Sequence, residues 1–290
     1  MKKLITVLLG VALLAVFATG CSGNGSESAD AGKTIKLGYV NWAEGIAMTN
    51  LAEAVLEDKM GYEVETTAAD VAPLFTSLAS GNTDAFLDCW LPVTHKDYLE
   101  EYGDKLDDLG PNYNGAVIGL VVPDYVEINS IEELNAKRDA FDRKIIGIDS
   151  GAGIMKATEK AIEEYDLDYE LVTGSGPAMT AALKKAIDNR EPIVVTGWTP
   201  HWKFARWDLK ILEDPKSIYG DSENIHTYTR KGFAEDMPEA AEFLKKMKFT
   251  DAQLGSLMGA IEDSTGEPIE AAREWMKENE ELVNSWIAAK

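Results

Sequence analysis

The sequence predicts an α/β protein of two lobes, with two chain crossings at a hinge and a cleft between the lobes. Three observations lead there. Short β runs alternate with amphipathic helical runs, the pattern of largely parallel sheets. The alternation restarts near residue 144 and repeats, and each half delivers a tryptophan followed two residues later by proline: Trp90-Leu91-Pro92 and Trp198-Thr199-Pro200. Two further β runs, 116–123 and 225–230, lie where the chain must cross between lobes and return.

The chain opens with Lys2 and Lys3, then an apolar run over 4–17 that ends in Ala18-Thr19-Gly20-Cys21. A charged start, a short apolar stretch and small residues before a cysteine make residues 1–20 a lipoprotein signal peptide, with Cys21 the lipidated first residue of the mature chain. The run is too short to cross a bilayer comfortably. Residues 21–33 are rich in Ser, Gly, Ala and acids, cannot bury enough apolar surface to order themselves, and read as a flexible tether. The expected location is therefore extracytoplasmic, with the lipid on Cys21 holding the protein to the cell membrane. With Cys21 lipidated, Cys89 has no partner for an intrachain disulfide and reads as a small buried hydrophobe.

About 255 residues remain, large for one hydrophobic core and suited to two. Strands are expected at 34–40, 62–67 and 84–87, with helices from Ile46 and over 72–80 between them. The second half repeats the order: strands at 144–149, 169–173 and 193–196, helices at 155–164 and 177–189. Tyr62 stands almost as far ahead of Trp90 as Tyr169 does of Trp198, and each tyrosine is followed by Glu and an aliphatic residue. Residues 238–289 read as three amphipathic helices, broken near Thr250 and at Thr265-Gly266. Lobe 1 is thus expected over 34–120, lobe 2 over 121–222, and a return to lobe 1 with C-terminal helices over 223–290.

The formal net charge of −22 becomes more negative once Lys2 and Lys3 leave with the signal peptide. That speaks against nucleic acid and anionic membrane surfaces as partners. It keeps an exported protein dissolved and says little about a ligand.

Four tryptophans, Trp42, Trp90, Trp198 and Trp202, sit in or beside loops that follow expected strands. Core or rim packing accounts for any one of them. Three at comparable strand ends, where α/β sheets bind ligands, point to a shared cage: Trp42 and Trp90 from one lobe meeting Trp198 from the other. A cage of aromatic faces suits a methylated ammonium, which donates no N–H bond and is weakly hydrated, and each desolvated face contributes about 0.5–2 kcal/mol. Gly151-Ala152-Gly153-Ile154 lies where a strand turns into a helix, either a plain tight turn or a set of free N–H groups for an anion. His95, close after Trp90, either starts a helix in solvent or donates to the same anion. His95, His201 and His226 lack the spacing of metal ligands, and no cofactor is expected. No phosphate-binding loop, zinc-protease helix or nucleophile elbow occurs.

These motifs make the chain similar to a family. Asn41-Trp42, Trp90-Leu91-Pro92-Val93-Thr94-His95, Gly147-Ile148-Asp149-Ser150-Gly151-Ala152-Gly153-Ile154-Met155 and Thr196-Gly197-Trp198-Thr199-Pro200-His201-Trp202 resemble the glycine betaine-binding proteins of ABC-type osmoprotectant importers. The likeness continues through the segments 106–113 and 225–233. It implies a type II periplasmic-binding-protein fold and a receptor, not an enzyme, that hands its ligand to an ABC permease and works as a monomer. It implies a prism of Trp42, Trp90 and Trp198 around a trimethylammonium group, with the carboxylate held by the backbone N–H groups of Gly153 and Ile154 and by His95. Where relatives often carry an acid directly after the first tryptophan, this chain has Ala43 before Glu44. Proline betaine is a possible second ligand, a choline or carnitine receptor is the neighbouring alternative, and an exported hydrolase using Ser150 or Cys89 the distant one.

Overall fold

The computed structural model describes residues 33–287. The signal peptide, Cys21 and the tether up to residue 32 lie outside the described residues. In chain order the first half is β1 (Thr34–Tyr39), α1 (Ala43–Val55), β2 (Glu63–Ala68), α2 (Val71–Ala79) and β3 (Ala85–Leu91), with β1 paired in parallel to both β2 and β3. After α3 (Lys96–Tyr102) comes β4 (Leu106–Pro123), which carries the chain into the second half. There β5 (Lys144–Ile146), α4 (Gly153–Glu164), β6 (Glu170–Val172), α5 (Gly176–Asn189) and β7 (Val195–Thr199) repeat the plan, with β5 paired in parallel to both β6 and β7. The repeat read from the sequence is therefore a repeat of topology.

A short α6 (Lys203–Arg206) and β8 (Leu209–Ile211) precede β9 (Glu223–Arg230), which returns the chain antiparallel to β3. The strand order is β2-β1-β3-β9-β4-β7-β5-β6, with β8 alongside β4. β4 thus joins the two sheet halves: it pairs with β9 as far as Ala116 and with β7 from Val117. This is the two-lobed architecture expected, and its crossings are β4 and the chain entering β9.

Local chemistry explains the elements. In α2 the buried residues Val71, Leu74, Phe75 and Leu78 fall on one helical face, so their packing selects helix. Ser175 caps α5 by accepting from the Ala178 N–H, with Pro177 in the first turn, where its missing N–H removes nothing from the helix. β3, flanked by β1 and β9, is buried over all but its last residue, as an apolar strand covered on both faces must be. Cys89 on β3 is fully buried, as expected, and burial pushes its thiol well above the usual range.

Three expectations shift. β3 and β7 run further than the apolar pattern suggested, through Leu91 and Thr199, because β9 and β4 extend their ladders past the tryptophans: Trp90 faces Ile225 and Trp198 faces Ile118. The tryptophans therefore sit on strands, not in the loops after them. A 3₁₀ segment, Ile131–Phe141, was not anticipated, although Ser130 and Glu133 form the capping box that starts it. The tail is α7 (Phe233–Asp236), α8 (Pro238–Lys246), α9 (Asp251–Asp263), α10 (Pro268–Glu278) and α11 (Glu280–Trp286), because the third expected helix breaks at Asn279, which leaves helical geometry at φ −114° and ψ 34°. No helix among the described residues is long and apolar enough to cross a membrane.

Candidate ligand-binding site

Trp42, Trp90, Trp198, Gly153 and Ile154 line one cavity between the lobes. Trp42 immediately precedes α1, Trp90 and Trp198 end β3 and β7, and Gly153 and Ile154 begin α4. All three indoles are at least 95% buried, at 5%, 2% and 3% exposure, so their faces meet protein and the cavity, not solvent. The sequence repeat had put two of them at equivalent strand ends; the fold adds that the cavity wall draws on both lobes.

Each indole N–H is held by a carboxylate. Trp42 Nε1 donates to Asp149 Oδ2 at 3.1 Å, Trp90 Nε1 to Asp88 Oδ1 at 2.7 Å, and Trp198 Nε1 to Glu44 Oε2 at 2.7 Å. Fixing the N–H edge fixes the plane of the ring. Burial lifts the Glu44 carboxyl to about 7, against the Trp198 hydrogen bond, and lifts Asp88 well above the usual carboxylate range. None of these three acids was read from the sequence as a partner, although Glu44 and Asp88 each stand two residues from a cage tryptophan.

The start of α4 lines the same cavity. Its N-cap, Ala152, offers no side-chain acceptor, so the first-turn N–H groups lack the usual cap. Gly153 is required here by close approach: a Cβ would run into the carbonyl oxygen and side chain of Thr94. The contact brings α4 of one lobe against the loop of the other lobe that follows Trp90. Tyr98 OH donates to the Gly151 carbonyl at 2.9 Å and Lys156 to Asp97 at 2.8 Å, both across the same interface.

His95 lies outside the residues lining the cavity. Its ring stacks on Trp42, with centroids 5.7 Å apart and planes 14° apart, and Phe75 packs edge-on against it. The Trp90 N–H donates to His95 Nδ1 at 2.9 Å, which puts the proton of the neutral ring on Nε2. That Nε2 is buried with no hydrogen-bond partner among the described residues. Burial, assisted by the Lys156 charge, pulls the ring down to about 3, so it stays neutral near pH 7. His95 is thus not a solvated helix start but a buried, neutral ring stacked on Trp42.

The loop carrying Thr94 and His95 is tied to the return strand. Glu223 Oε2 accepts from the backbone N–H groups of Val93 and Thr94, each at 2.8 Å, and Oε1 accepts from the Thr94 hydroxyl. Trp202 does not line this cavity; with Trp207 and Trp198 it lines a neighbouring groove.

A two-lobed α/β fold with a buried aromatic cavity between the lobes defines a substrate-binding protein. Residues 33–278 match the model of the substrate-binding domain of ABC-type glycine betaine transport systems, and the chain belongs to that family, one of binding proteins and not of enzymes. It is 47% identical over 158 residues to the glycine betaine/carnitine transport binding protein GbuC of Listeria monocytogenes, a match covering 52% of this chain and 52% of that one. The chain is thus matched to about half the length of that relative. The lactococcal OpuAC in its closed form with glycine betaine aligns with a TM-score of 0.82 at 41% identity, covering 88% of this chain and 100% of that one. The glycine betaine/L-proline-binding protein ProX of Borrelia burgdorferi aligns at 0.84 and 40% identity, covering 88% and 97%.

Proposed function

We propose that this protein is an extracytoplasmic substrate-binding lipoprotein that captures glycine betaine, with proline betaine as a second ligand, and delivers it to an ABC permease for osmoprotection. The observation that carries the reading is the convergence of three buried tryptophans from both lobes on one cavity that an uncapped helix start also lines. A zwitterion with a methylated ammonium at one end and a carboxylate at the other matches both.

In this reading Trp42, Trp90 and Trp198 surround the trimethylammonium group, each face contributing about 0.5–2 kcal/mol. The N–H groups of Gly153 and Ile154 hold the carboxylate, helped by the positive end of the α4 dipole. His95 supplies the Nε2–H, a buried donor with no other use among the described residues. Residues 34–120 with 223–290 form one closing unit and 121–222 the other, which is supported by the change of partner along β4. The monomer, the lipid on Cys21 and the outward location belong to the same proposal.

A choline or carnitine receptor is the second reading; Glu44 in the cavity wall favours choline, a cation that carries no carboxylate, over carnitine, which keeps one. Titration of intrinsic tryptophan fluorescence with glycine betaine, proline betaine, choline and carnitine decides between them. Glycine betaine is expected to bind tightest. A protein that responds to none of the four is not a quaternary-ammonium receptor.

A further inference from the structure

Behind the cage lies a lysine that the capture of a cation does not call for. Lys203, at the start of α6, is 0% exposed and its ammonium has no hydrogen-bond partner among the described residues. Its Nζ sits 4.3 Å from the centre of the Trp198 ring. Trp198 lines the cavity, whereas Lys203 does not. One indole is therefore shared by a resident amine and by whatever occupies the cage.

The groups around that amine are few. Glu44 of α1 holds the indole N–H of the same ring, Asp88 of β3 is electrostatically coupled to Glu44, and His201 accepts from the Lys203 backbone N–H at 3.2 Å. Burial keeps His201 neutral, so it neither pairs with the lysine nor repels it strongly. Burial also pulls Lys203 down to about 7, with Glu44 opposing. The amine is held where a modest change of field decides its protonation.

Given the cation cage proposed above, we propose that Lys203 sets the affinity for cationic ligands: the ligand's ammonium and a protonated Lys203 compete for the indole of Trp198, and binding drives the lysine to release a proton. In that step one N–H bond of the lysine ammonium breaks, its electron pair stays on nitrogen as the neutral amine, and the proton passes to the buffer. The net charge beside the cage falls by one as the ligand brings in one positive charge. Two unit charges roughly 8 Å apart at an effective dielectric of about 20 disfavour one another by about 10- to 30-fold in binding. Affinity for a ligand that carries an ammonium should therefore rise with pH below about 7 and level off above it, relative to a ligand of the same shape with carbon in place of that nitrogen.

The test is calorimetry of the mature chain near pH 7 in two buffers of different ionisation enthalpy. The probes are glycine betaine and 3,3-dimethylbutanoate, in which carbon replaces the quaternary nitrogen. Betaine should release a fraction of a proton more than the isostere. Lys203→Met should abolish that difference and, at pH 6, strengthen betaine about 10-fold relative to the isostere. Equal proton release for the two ligands in the wild-type chain overturns the inference without needing the variant to fold. A Lys203→Met protein that keeps the difference assigns the proton elsewhere and also overturns it. A wild-type chain that gives no heat with betaine fails at the earlier step, the cage itself.

Discussion

The indole N–H of Trp198 in one lobe donates to the carboxylate of Glu44 in the other at 2.7 Å. Trp42 returns the arrangement, donating to Asp149 across the interface at 3.1 Å. Two of the three cage rings are therefore fixed by the opposite lobe, and their planes are set only when the lobes meet. Trp90, held by Asp88 within its own lobe, needs no such partner.

The cross-lobe bonds should govern release. Asp149→Ala removes an acceptor that bridges the lobes, and a hydrogen bond to a charged group contributes about 1.5–3 kcal/mol. Ligand dissociation in stopped-flow fluorescence should speed up by about tenfold or more, with association little changed. An unaltered dissociation rate would mean that the bond does not hold the lobes together.

Each cage tryptophan replaced by alanine should cost roughly 1–3 kcal/mol of betaine binding. Trp202→Ala, whose ring faces the neighbouring groove, should cost much less. Equal losses at Trp202 and Trp90 in a calorimetric titration would contradict the assignment of the cage.

Two glycines of one loop should part company. A Cβ on Gly153 collides with the Thr94 carbonyl, whereas a Cβ on Gly151 finds its nearest neighbour, Val71 Cγ1, at 3.4 Å. Gly153→Ala should lose about 1–3 kcal/mol of affinity through the forced shift of α4 from the Thr94 loop. Gly151→Ala should bind nearly as the wild type does. Melting temperatures of both variants without ligand separate a binding defect from a folding one.

His95 makes two predictions. His95→Ala should weaken glycine betaine far more than choline, because its Nε2–H would face the carboxylate end; equal losses would remove it from the site. Its buried ring also titrates near 3 in the folded chain, below the ordinary 6.5. A depressed pKa contributes stability that is complete above 6.5 and is lost as pH falls toward 3, at up to about 1.4 kcal/mol per pH unit. His95→Leu should flatten the acid side of the stability profile measured by urea denaturation over that window.

Glu223 should act through the loop it holds. Glu223→Gln keeps the side chain's shape but loses one of two acceptor oxygens for the Val93, Thr94 and Thr94-hydroxyl donors. Because that loop supports His95 and abuts Gly153, betaine should weaken severalfold and choline hardly at all. A defect of equal size for both ligands would reduce Glu223 to a general structural role.

The paired lobes were legible because a period-two strand followed by a helix leaves a pattern in single residues, and because Trp90 and Trp198 mark both copies. Trp90 and Trp198 could be singled out for the same reason, since they stand at positions the repeat defines, whereas Gly153 and Ile154 rested mainly on the family resemblance. The carboxylates behind the rings could not. Asp149 lies far along the chain from Trp42, and nothing local distinguishes an acid that accepts from a buried indole from one that faces water. His95 shows the limit from the other side, since its distance from Trp90 suggested proximity but not that Trp90's own backbone would fix its tautomer. The extra length of β3 and β7 escaped notice because it is imposed by β9 and β4, strands remote in sequence.

β4 exchanges one ladder for another between Ala116 and Val117 without a break in the strand. The exchange follows directly on an irregularity in the β4–β9 ladder at Gly115, whose φ of +87° is left-handed and whose surroundings are open. The second crossing, the chain entering β9, is loop and carries another left-handed glycine, Gly220 at φ +74°. The link between the lobes therefore rests on backbone pairing and backbone conformation, and the cavity on side chains, so that cleft residues can be exchanged without touching the link.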